Sequence, residues 1–578
     1  MGLEEDLESV DLVVLDVETK KTDTFTGKDL FGVAIGIPTG LSLKPYYVLP
    51  DDLHRYKRRL SEVDIVAHNV LFDSEIMLQN DVPLNGFWWD TMVMAHLVNE
   101  NEMSYGLDSL AKKYIGRGKT SMKELEKAFG HWNDIPQGIM GPYAMNDIDI
   151  TWSLFLHMRA KLAESQLEPV YKTYDKYLKA LRWIQAQGIP IDWGMVHDRR
   201  LAAEAELERI MYKELGYDPG KQAFVEHRLF NVLGLPVISR TAKTGRPQVD
   251  VAVLQRLRAG TRKSKPEVSA ELDWILKYRQ LQKANGNWYA GYERYRDGTS
   301  LLHPNFKVHG TATGRLSCEA PNLQQIPRDY QRVKAVFRDC PEQDEILYEL
   351  DYSQIELRVA AYYAKLRGDP TMFNIYEKGE DVHTRTTELV GAFDQIENPK
   401  EARQVGKTGN FLWIYGGGAK TMSVQLFRQF GFRSTVEQCA EWTAAFNEAY
   451  PGFRECIHHS EKLHRRLGYI TMWNGRRRHI RERDPQNRVL HRKAFNPRVQ
   501  GGSGQLLAYA LIRLHQAHEK GTIKSRVCNT VHDSIWVLIP RDRLEEELAE
   551  MTRLMRITPE RHFHLPFEVD AKAMVQAI

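Results

Sequence analysis

The stretch EILYELDYSQIELR at residues 345–358 joins an apolar, strand-like segment to a helical one across an acidic residue, Asp351. Residues 345–350 have the composition of a buried strand, and the chain turns into a helix after Asp351. A carboxylate at the end of a strand is a natural ligand for a hard divalent cation. The stretch therefore predicts a strand-to-helix turn that presents Asp351 to a metal ion.

A second apolar segment, residues 527–539, is interrupted by the polar pair His532-Asp533. Two strands at 527–531 and 535–539, separated by a tight polar turn, form a hairpin with Asp533 at its tip. If this hairpin lies beside the strand that carries Asp351, the two aspartates create a site for two metal ions. Either aspartate alone would be unremarkable.

Four side chains between these segments follow a strict i+4 spacing: Arg403, Lys407, Phe411 and Tyr415, the last followed by Gly416. On a single helix, each step of four residues rotates the side chain by only about 40° from the one before. The four side chains therefore align in a stripe roughly 18 Å long. The two cations suit a triphosphate, and the two aromatic rings suit a sugar and a base. The alternative is an ordinary amphipathic helix with surface cations and core aromatics.

The amino-terminal part carries a third acidic pattern. Asp16 and Glu18 follow the apolar run 12–15, and residues i and i+2 of a strand point to the same face. Asp73 ends the segment NVLFD at 69–73, and Asp147 ends YAMND, which begins at Tyr143. Four carboxylates on three elements match what phosphodiester hydrolysis with two divalent ions requires. The alternative is a fold relic with a disabled site.

Composition limits the class of protein. The chain has 578 residues, 42% hydrophobic and 27% charged, which is typical of an ordinary folded protein and excludes disordered, collagenous or fibrous chains. No apolar run is long enough for a membrane span, and the acidic start is unlike a presequence, so we expect a cytoplasmic protein. The five cysteines form no C-x-x-C pair and are expected to be free thiols.

The chain divides into two unequal parts. Strands at 31–36 and 63–67 and helices at 90–98 and 144–163 complete an α/β unit that ends near residue 160. The net charge is only +3, but basic residues cluster downstream and could meet phosphate if they share a face. A solvated surface is the alternative reading of these clusters, which are Arg256, Arg258, Arg262, Lys263 and Lys265, and then Arg476, Arg477, Arg478, Arg481 and Arg483.

The order Asp-x-Glu, Asn-x-x-Phe-Asp, Tyr-x-x-x-Asp resembles the three motifs of the DEDDy 3′–5′ exonucleases, the proofreading fold. The resemblance implies that Asp16, Glu18 and Asp147 hold one metal ion and that Asp16 and Asp73 position a second. It also implies that Tyr143 orients the attacking water.

The larger part resembles the family A DNA polymerases. The resemblance rests on TATGRLS at 311–317, PNLQQIP at 321–327, DYSQIELR at 351–358, the 403–416 helix and VHD at 531–533. It implies a mixed α/β chain in which a ribonuclease H-like exonuclease domain (1–163) precedes a right-hand polymerase domain (164–578). The implied subdomains are a thumb at about 193–300, a palm at about 301–370 and 485–578, and fingers at about 371–484.

The resemblance also implies roles for single residues. Asp351, Asp533 and the backbone carbonyl of Tyr352 would bind two Mg²⁺ ions, for which Mn²⁺ could substitute, and Glu356 would be the steric gate against ribonucleotides. Lys407 would also protonate the leaving group. The implied nucleotide contacts are Tyr352, Gln354, Glu356, His383, Arg403, Lys407, Phe411 and Tyr415, and the implied DNA contacts are Arg315, Arg492, Asn496, Gln500 and His532.

Two positions depart from the family pattern. Family members usually carry a second carboxylate after the His-Asp pair, whereas this chain has Ser534, so we expect activity with altered metal tolerance or rate. The pair Cys318-Glu319 replaces small hydroxyl residues, which leaves the template-side contacts there open.

The function expected from these motifs is template-directed DNA synthesis with proofreading, by a monomeric enzyme of the bacteriophage replicative type. The expected partners are primer-template DNA, deoxynucleoside triphosphates and a helicase, primase or single-strand-binding protein, with no membrane. Because the first motif begins at Asp16, we expect no 5′ nuclease domain before it. Two alternatives remain: a nuclease whose polymerase half only binds DNA, and a single-subunit RNA polymerase.

Overall fold

The first sheet is built around the strand that carries Asp16 and Glu18. The computed structural model describes residues 2–574 apart from 21–24, 26–28, 120, 242–243, 327–332 and 485, so Pro327 of the predicted 321–327 motif lies outside the described residues. The sheet order is β3-β2-β1-β4-β5. The strands are β1 (Leu12–Thr19), β2 (Leu30–Thr39), β3 (Ser42–Val48), β4 (Asp64–Ala67) and β5 (Trp88–Asp90).

Strand β1 pairs antiparallel with β2 and parallel with β4, and its apolar side chains Val13, Val14 and Leu15 are fully buried. It runs past the predicted end at residue 15, so both acidic side chains lie within the strand. The helices of this unit are α1 (Leu3–Glu8), α2 (Lys57–Glu62), α3 (Val70–Gln79), α4 (Thr91–Val98), α5 (Leu107–Ile115), α6 (Met122–Phe129) and α7 (Gln137–Glu164).

A mainly helical region follows. The long helix α8 (Glu168–Gln187) packs between the first unit and the rest of the chain, because it contacts both α3 and a strand of the second large sheet. The region continues with β6 (Ile189–Pro190), α9 (Trp193–Arg209), α10 (Gln222–Glu226), α11 (Val251–Thr261), α12 (Pro266–Ala284), α13 (Ala290–Glu293), β7 (Leu301–Leu302), β8 (Phe306–Lys307) and β9 (Ser317–Cys318).

The second large sheet brings together strands from distant parts of the sequence. Its order is β13-β14-β10-β15, and every pairing in it is antiparallel. The strands are β10 (Glu345–Tyr352), β13 (Arg526–Val531), β14 (Ser534–Pro540) and β15 (Val569–Ala573). The predicted placement of the hairpin beside the Asp351 strand is therefore confirmed.

Several helices pack against this sheet. Between β10 and β13 lie α14 (Ile355–Lys365), α15 (Thr371–Glu377), α16 (Val382–Leu389), α17 (Ala392–Gln395), α18 (Pro399–Trp413), α19 (Ala419–Phe430), α20 (Val436–Ala449), α21 (Gly452–Leu467), β11 (Ile470–Thr471), β12 (Arg477–Arg478) and α22 (Gly502–Glu519). Helix α23 (Leu544–Phe563) precedes β15. Helices α22 and α23 pack against the sheet, as α8 does. No helix among the described residues combines the length and apolarity needed to cross a bilayer.

Two expectations need correction. Helix α18 ends at Trp413, so Tyr415 is not on the helix with Arg403, Lys407 and Phe411; the chain turns at Gly416, whose φ of 76° few residues other than glycine adopt readily. The basic run at 476–483 is not one solvated face, because Arg476 and Arg478 are buried against the first unit. The cysteines are free, as expected, and all are buried.

Candidate active sites

Strand pairing places the two predicted palm aspartates at one end of the second sheet. Asp351 of β10 lies opposite Ser534 of β14, and the Tyr352 amide nitrogen is 3.5 Å from the Asp533 carbonyl oxygen. A two-residue turn, with His532 at φ 56°, holds Asp533 at the hairpin tip. Both aspartates line a cavity of about 610 Å³. Two residues far apart in sequence thus share one site.

The predicted triphosphate contacts face the same cavity. Arg403 and Lys407 from α18 and His383 from α16 line it, together with Phe411. Arg403 is paired with Asp381, at 2.8 Å between Nη2 and Oδ2. The structure therefore brings the Arg403 and Lys407 cations to the cavity that the two aspartates line, an arrangement that suits phosphoryl transfer.

The ring of His383 is held in one orientation. The Thr386 hydroxyl donates to Asn410 Oδ1 at 3.0 Å, which leaves the Asn410 amide nitrogen to donate to His383 Nδ1 at 3.1 Å. The proton of the neutral ring is then on Nε2. Burial lowers the pKa of His383 to about 4, so at neutral pH it meets a ligand as an uncharged hydrogen-bond donor.

Glu356 is the centre of a hydrogen-bonded cluster at the start of α14. The Tyr415 hydroxyl donates to Glu356 Oε2 at 3.0 Å, and Arg315 donates to Oε1. Burial, and then the nearby Glu356 carboxylate, raises the pKa of Tyr415 well above its usual value. Because Tyr415 lies beyond the end of α18, its ring can turn back toward this carboxylate.

The predicted DNA contacts lie on both sides of that cluster. Arg492 and Asn496 line a cavity of about 580 Å³ with Phe411 and Tyr415. Arg315 and His532 line a smaller cavity that also includes Asp533. Gln500 hydrogen-bonds Tyr415. Gln354 lines the aspartate cavity, and its Oε1 accepts a hydrogen bond from Tyr376 at 2.8 Å.

In the first unit, three of the four predicted exonuclease carboxylates converge. One oxygen from each of Asp16, Glu18 and Asp147 lies within 4.8 Å of the others. Burial, and then the neighbouring carboxylates, raises the pKa of Asp16 to about 7 and that of Glu18 to about 10. Such a cluster favours a bound cation, which relieves the mutual repulsion.

Asp73 lies beside this triad but is not one of its three members. Its Oδ1 accepts a hydrogen bond from the Val17 amide at 3.1 Å, between the two acidic residues of β1. Burial, and then Asp16, raises the pKa of Asp73. Asp73 thus belongs to the same electrostatic group as Asp16 without joining the close triad.

Lys119 is a site residue that the sequence did not reveal. Its ammonium group donates to Asp147 Oδ2 and lies 5.0 Å from the centre of the Tyr143 ring. Tyr143 itself is buried, one helical turn before Asp147 on α7. Lys119 lies in a loop between α5 and α6, where no periodicity or motif marks it.

The donor sets suit hard divalent cations, since every side-chain ligand offered is a carboxylate oxygen. Asp147 Oδ1 is buried and has no hydrogen-bond partner among the described residues, which is consistent with a metal ligand. Asp16, Glu18 and Asp147 would hold an ion in the first unit. Asp351, Asp533 and the Tyr352 carbonyl would do so in the second.

Two family models match this chain, one for each of its two parts. The family model for DNA polymerase family A matches residues 197–576, and the model for 3′–5′ exonuclease matches residues 2–163. DNA polymerase I of Borreliella burgdorferi is 26% identical over 579 residues, covering 96% of this chain and 61% of that protein. Thermostable DNA polymerase I of Thermus thermophilus is 31% identical over 434 residues, which cover 72% of this chain and 49% of that protein.

The chain therefore spans about half to three fifths of the length of these relatives. Among solved structures, the POL domain of Pol1 from M. smegmatis, in complex with DNA primer-template and dNTP, has the same fold. The TM-score is 0.81 at 20% identity, and the match covers 98% of this chain and 96% of that one. With a family model that matches most of its length, the chain belongs to DNA polymerase family A and carries a 3′–5′ exonuclease domain at its amino-terminal end.

Proposed function

We propose that this chain is a template-directed DNA polymerase that extends a primer 3′ end with deoxynucleotides and proofreads with its exonuclease domain. The observation that carries the proposal is the cavity that joins Asp351 and Asp533 to Arg403 and Lys407 in a chain of this family. The helical region at about 193–300 would be the thumb, the second sheet the palm, and helices α15–α21 the fingers.

In the polymerase reaction, Arg403, Lys407 and the Nε2 proton of His383 would bind the triphosphate. Lys407 would protonate the departing pyrophosphate, and Glu356 would exclude a ribose 2′ hydroxyl. In two-metal sites of this kind, paired divalent ions lower the pKa of the attacking oxygen and stabilise charge on the leaving oxygen. Arg315, Arg492, Asn496, Gln500 and His532 would contact the primer terminus and the minor groove without reading sequence.

In the exonuclease reaction, the triad of Asp16, Glu18 and Asp147, with Asp73 beside it, would hold two ions. Tyr143 would orient the attacking water, and Lys119 sits where it can contact the phosphate or balance the carboxylates. Mg²⁺ is the expected ion, with Mn²⁺ as a substitute.

A primer-template assay tests both activities. With Mg²⁺ and four deoxynucleotides the chain should extend the primer; Asp533→Ala should abolish extension and spare degradation, and Asp16→Ala should do the converse. Ribonucleotides offered alone should extend poorly, which separates this function from RNA synthesis. If the wild-type chain degrades primers but never extends them with any divalent ion, the polymerase proposal is wrong and the protein is a nuclease whose polymerase half only binds DNA.

Phe411 provides a second test. It lies on the cavity face of α18, with its ring 6.0 Å from that of His383. We predict strong discrimination against dideoxynucleotides, and we predict that Phe411→Tyr relaxes it, because the added hydroxyl supplies a polar group where the terminator lacks one. Single-nucleotide incorporation measures the ratio of deoxynucleotide to dideoxynucleotide incorporation for each protein. Equal ratios for the two proteins would contradict the assignment of α18.

A bacteriophage replicative role and a helicase, primase or single-strand-binding partner also stay predictions. Processivity on primed single-stranded DNA, measured with and without bacterial lysate, tests them. A lysate-dependent increase in product length would support a partner, and unchanged length would oppose one.

A further inference from the structure

A carboxylate that no motif marked lies beside the palm aspartates. Glu349 is two residues before Asp351 on β10, and alternate residues of a strand share a face. Across the sheet, Trp536 lies opposite Glu349 and Ser534 lies opposite Asp351. The four side chains therefore form two adjacent cross-strand pairs.

Hydrogen bonds fix Glu349 to the strand that follows the hairpin turn. Ser534 Oγ lies 3.0 Å from Glu349 Oε1, and the indole nitrogen of Trp536 donates to the same oxygen at 3.3 Å. Ser534 Oγ also lies 2.9 Å from the carbonyl oxygen of Val531, across the turn that carries Asp533. Glu349 thus contacts a side chain that also contacts the base of the turn.

The charge of Glu349 is balanced by Lys334, whose ammonium group lies 3.1 and 3.0 Å from the two carboxylate oxygens. Both residues line the same cavity as Asp351 and Asp533, and their side chains are 21% and 26% exposed. The pair is therefore open to the cavity, where its charges would act on any cation bound by the two aspartates.

We propose that Glu349 is a positioning residue of the polymerase site. It supplies a third carboxylate from β10, whereas position 534 on β14, where family members usually carry that carboxylate, is a serine. Glu349 holds Ser534 and the turn that presents Asp533, and its charge increases the affinity of the site for divalent cations. Lys334 opposes that charge and moderates the affinity. This inference rests on the proposed polymerase function.

The competing explanation is a structural ion pair that ties the short helix Val333–Val336 to the sheet. The two explanations predict opposite effects on cation binding when the charge of Lys334 is removed. If the pair is only structural, Glu349→Gln and Lys334→Met both weaken the site. If Glu349 acts as proposed, Glu349→Gln weakens cation binding, whereas Lys334→Met strengthens it.

The experiment measures Mn²⁺ binding to the full chain by electron paramagnetic resonance, without DNA or nucleotide. All proteins carry Asp16→Ala, which removes a ligand of the exonuclease site, and Asp533→Ala identifies the signal of the polymerase site. Glu349→Gln should weaken that binding about tenfold, as is typical for groups that support metal ligands. Adding Ser534→Asp to Glu349→Gln should restore it, because the carboxylate returns from the neighbouring strand.

Primer extension by the same proteins should show a lower kcat for Glu349→Gln with little change in the KM for deoxynucleotide. Thermal denaturation of each variant checks that it is folded. Unchanged Mn²⁺ binding in Glu349→Gln, or weakened binding in Lys334→Met, would overturn the inference. Failure of the Asp16→Ala parent to extend primers would instead overturn the proposed function, and the binding comparison would still decide the role of Glu349.

Discussion

At the scale of single residues, Glu356 links the cavity lined by Asp351 and Asp533 to Tyr415, the aromatic residue beyond α18. Its carboxylate accepts from Tyr415 and Arg315, and its side chain is only 13% exposed. Glu356→Ala should open space for a 2′ hydroxyl and reduce discrimination against ribonucleotides about tenfold, since such steric discrimination is worth about 1–3 kcal/mol. Incorporation of dCTP against CTP measures this. Glu356→Gln, which is similar in size, should keep most of the discrimination against ribonucleotides. An unchanged ratio of dCTP to CTP incorporation in Glu356→Ala would contradict the role of Glu356 as a steric gate.

At the scale of elements, Gly406 sets how closely α18 packs on α16. A Cβ atom there would lie 2.3 Å from the Thr387 hydroxyl and 2.4 Å from the His383 carbonyl oxygen. Gly406→Ala should therefore force the helices apart, cost about 1–3 kcal/mol and raise the KM for deoxynucleotide, because Lys407 moves away from His383. Gly418→Ala is the matched control, with open space around its Cβ. Equal effects of the two substitutions on Tm and KM would refute this account.

At the scale of the whole molecule, buried charges join the exonuclease domain to the polymerase domain. Arg478 donates to Glu100 at 2.8 Å, and the two side chains are 5% and 0% exposed. Glu100→Gln leaves the buried Arg478 with only the more exposed Glu482 as a counter-charge, and it should cost about 3 kcal/mol of unfolding free energy, measured by urea denaturation. Glu461→Gln, in an exposed pair with Arg465, should cost under about 1 kcal/mol. Similar losses for both would argue against the buried pair.

The same contact predicts a pH dependence. Burial disfavours the charge of Glu100, but hydrogen bonds from His479 and Arg478 outweigh it and lower its pKa to about 2 from 4.5. A carboxyl with a lowered pKa stabilises the fold above its unfolded pKa and loses that contribution as the pH falls. Stability should therefore decrease as the pH falls from about 4.5 to 2, and Glu100→Gln should show a shallower decrease. An identical pH profile in the variant would contradict this.

Much of both sites could be predicted because their acids follow local patterns. The strand of Asp351, the hairpin of Asp533 and the pair on β1 each show in a short window of sequence, where apolar runs end in acidic residues. The helix through Arg403 was also visible, but its end was not. The i+4 spacing placed Tyr415 on this helix. In the structure the helix ends at Trp413 and the chain turns at Gly416, so that the Tyr415 hydroxyl hydrogen-bonds Glu356.

Residues whose roles depend on distant partners could not be predicted. Lys119 shares no pattern with Asp147, and Glu349 reads as one more polar residue of a strand. Arg476 and Arg478 looked like part of a basic surface, since a run of cations is usually solvated. Only the packing of β12 against the exonuclease domain buries them beside His96 and Glu100.

The sequence by itself determined the family and the order of the two domains, and it predicted the acids of both candidate sites, because these features appear as short sequence motifs. Tertiary structure alone decided which charges are buried, where the α18 stripe ends and which side chains support the acids. Burial and hydrogen bonding depend on what lies across the gap between elements, and a linear pattern carries no measure of that distance.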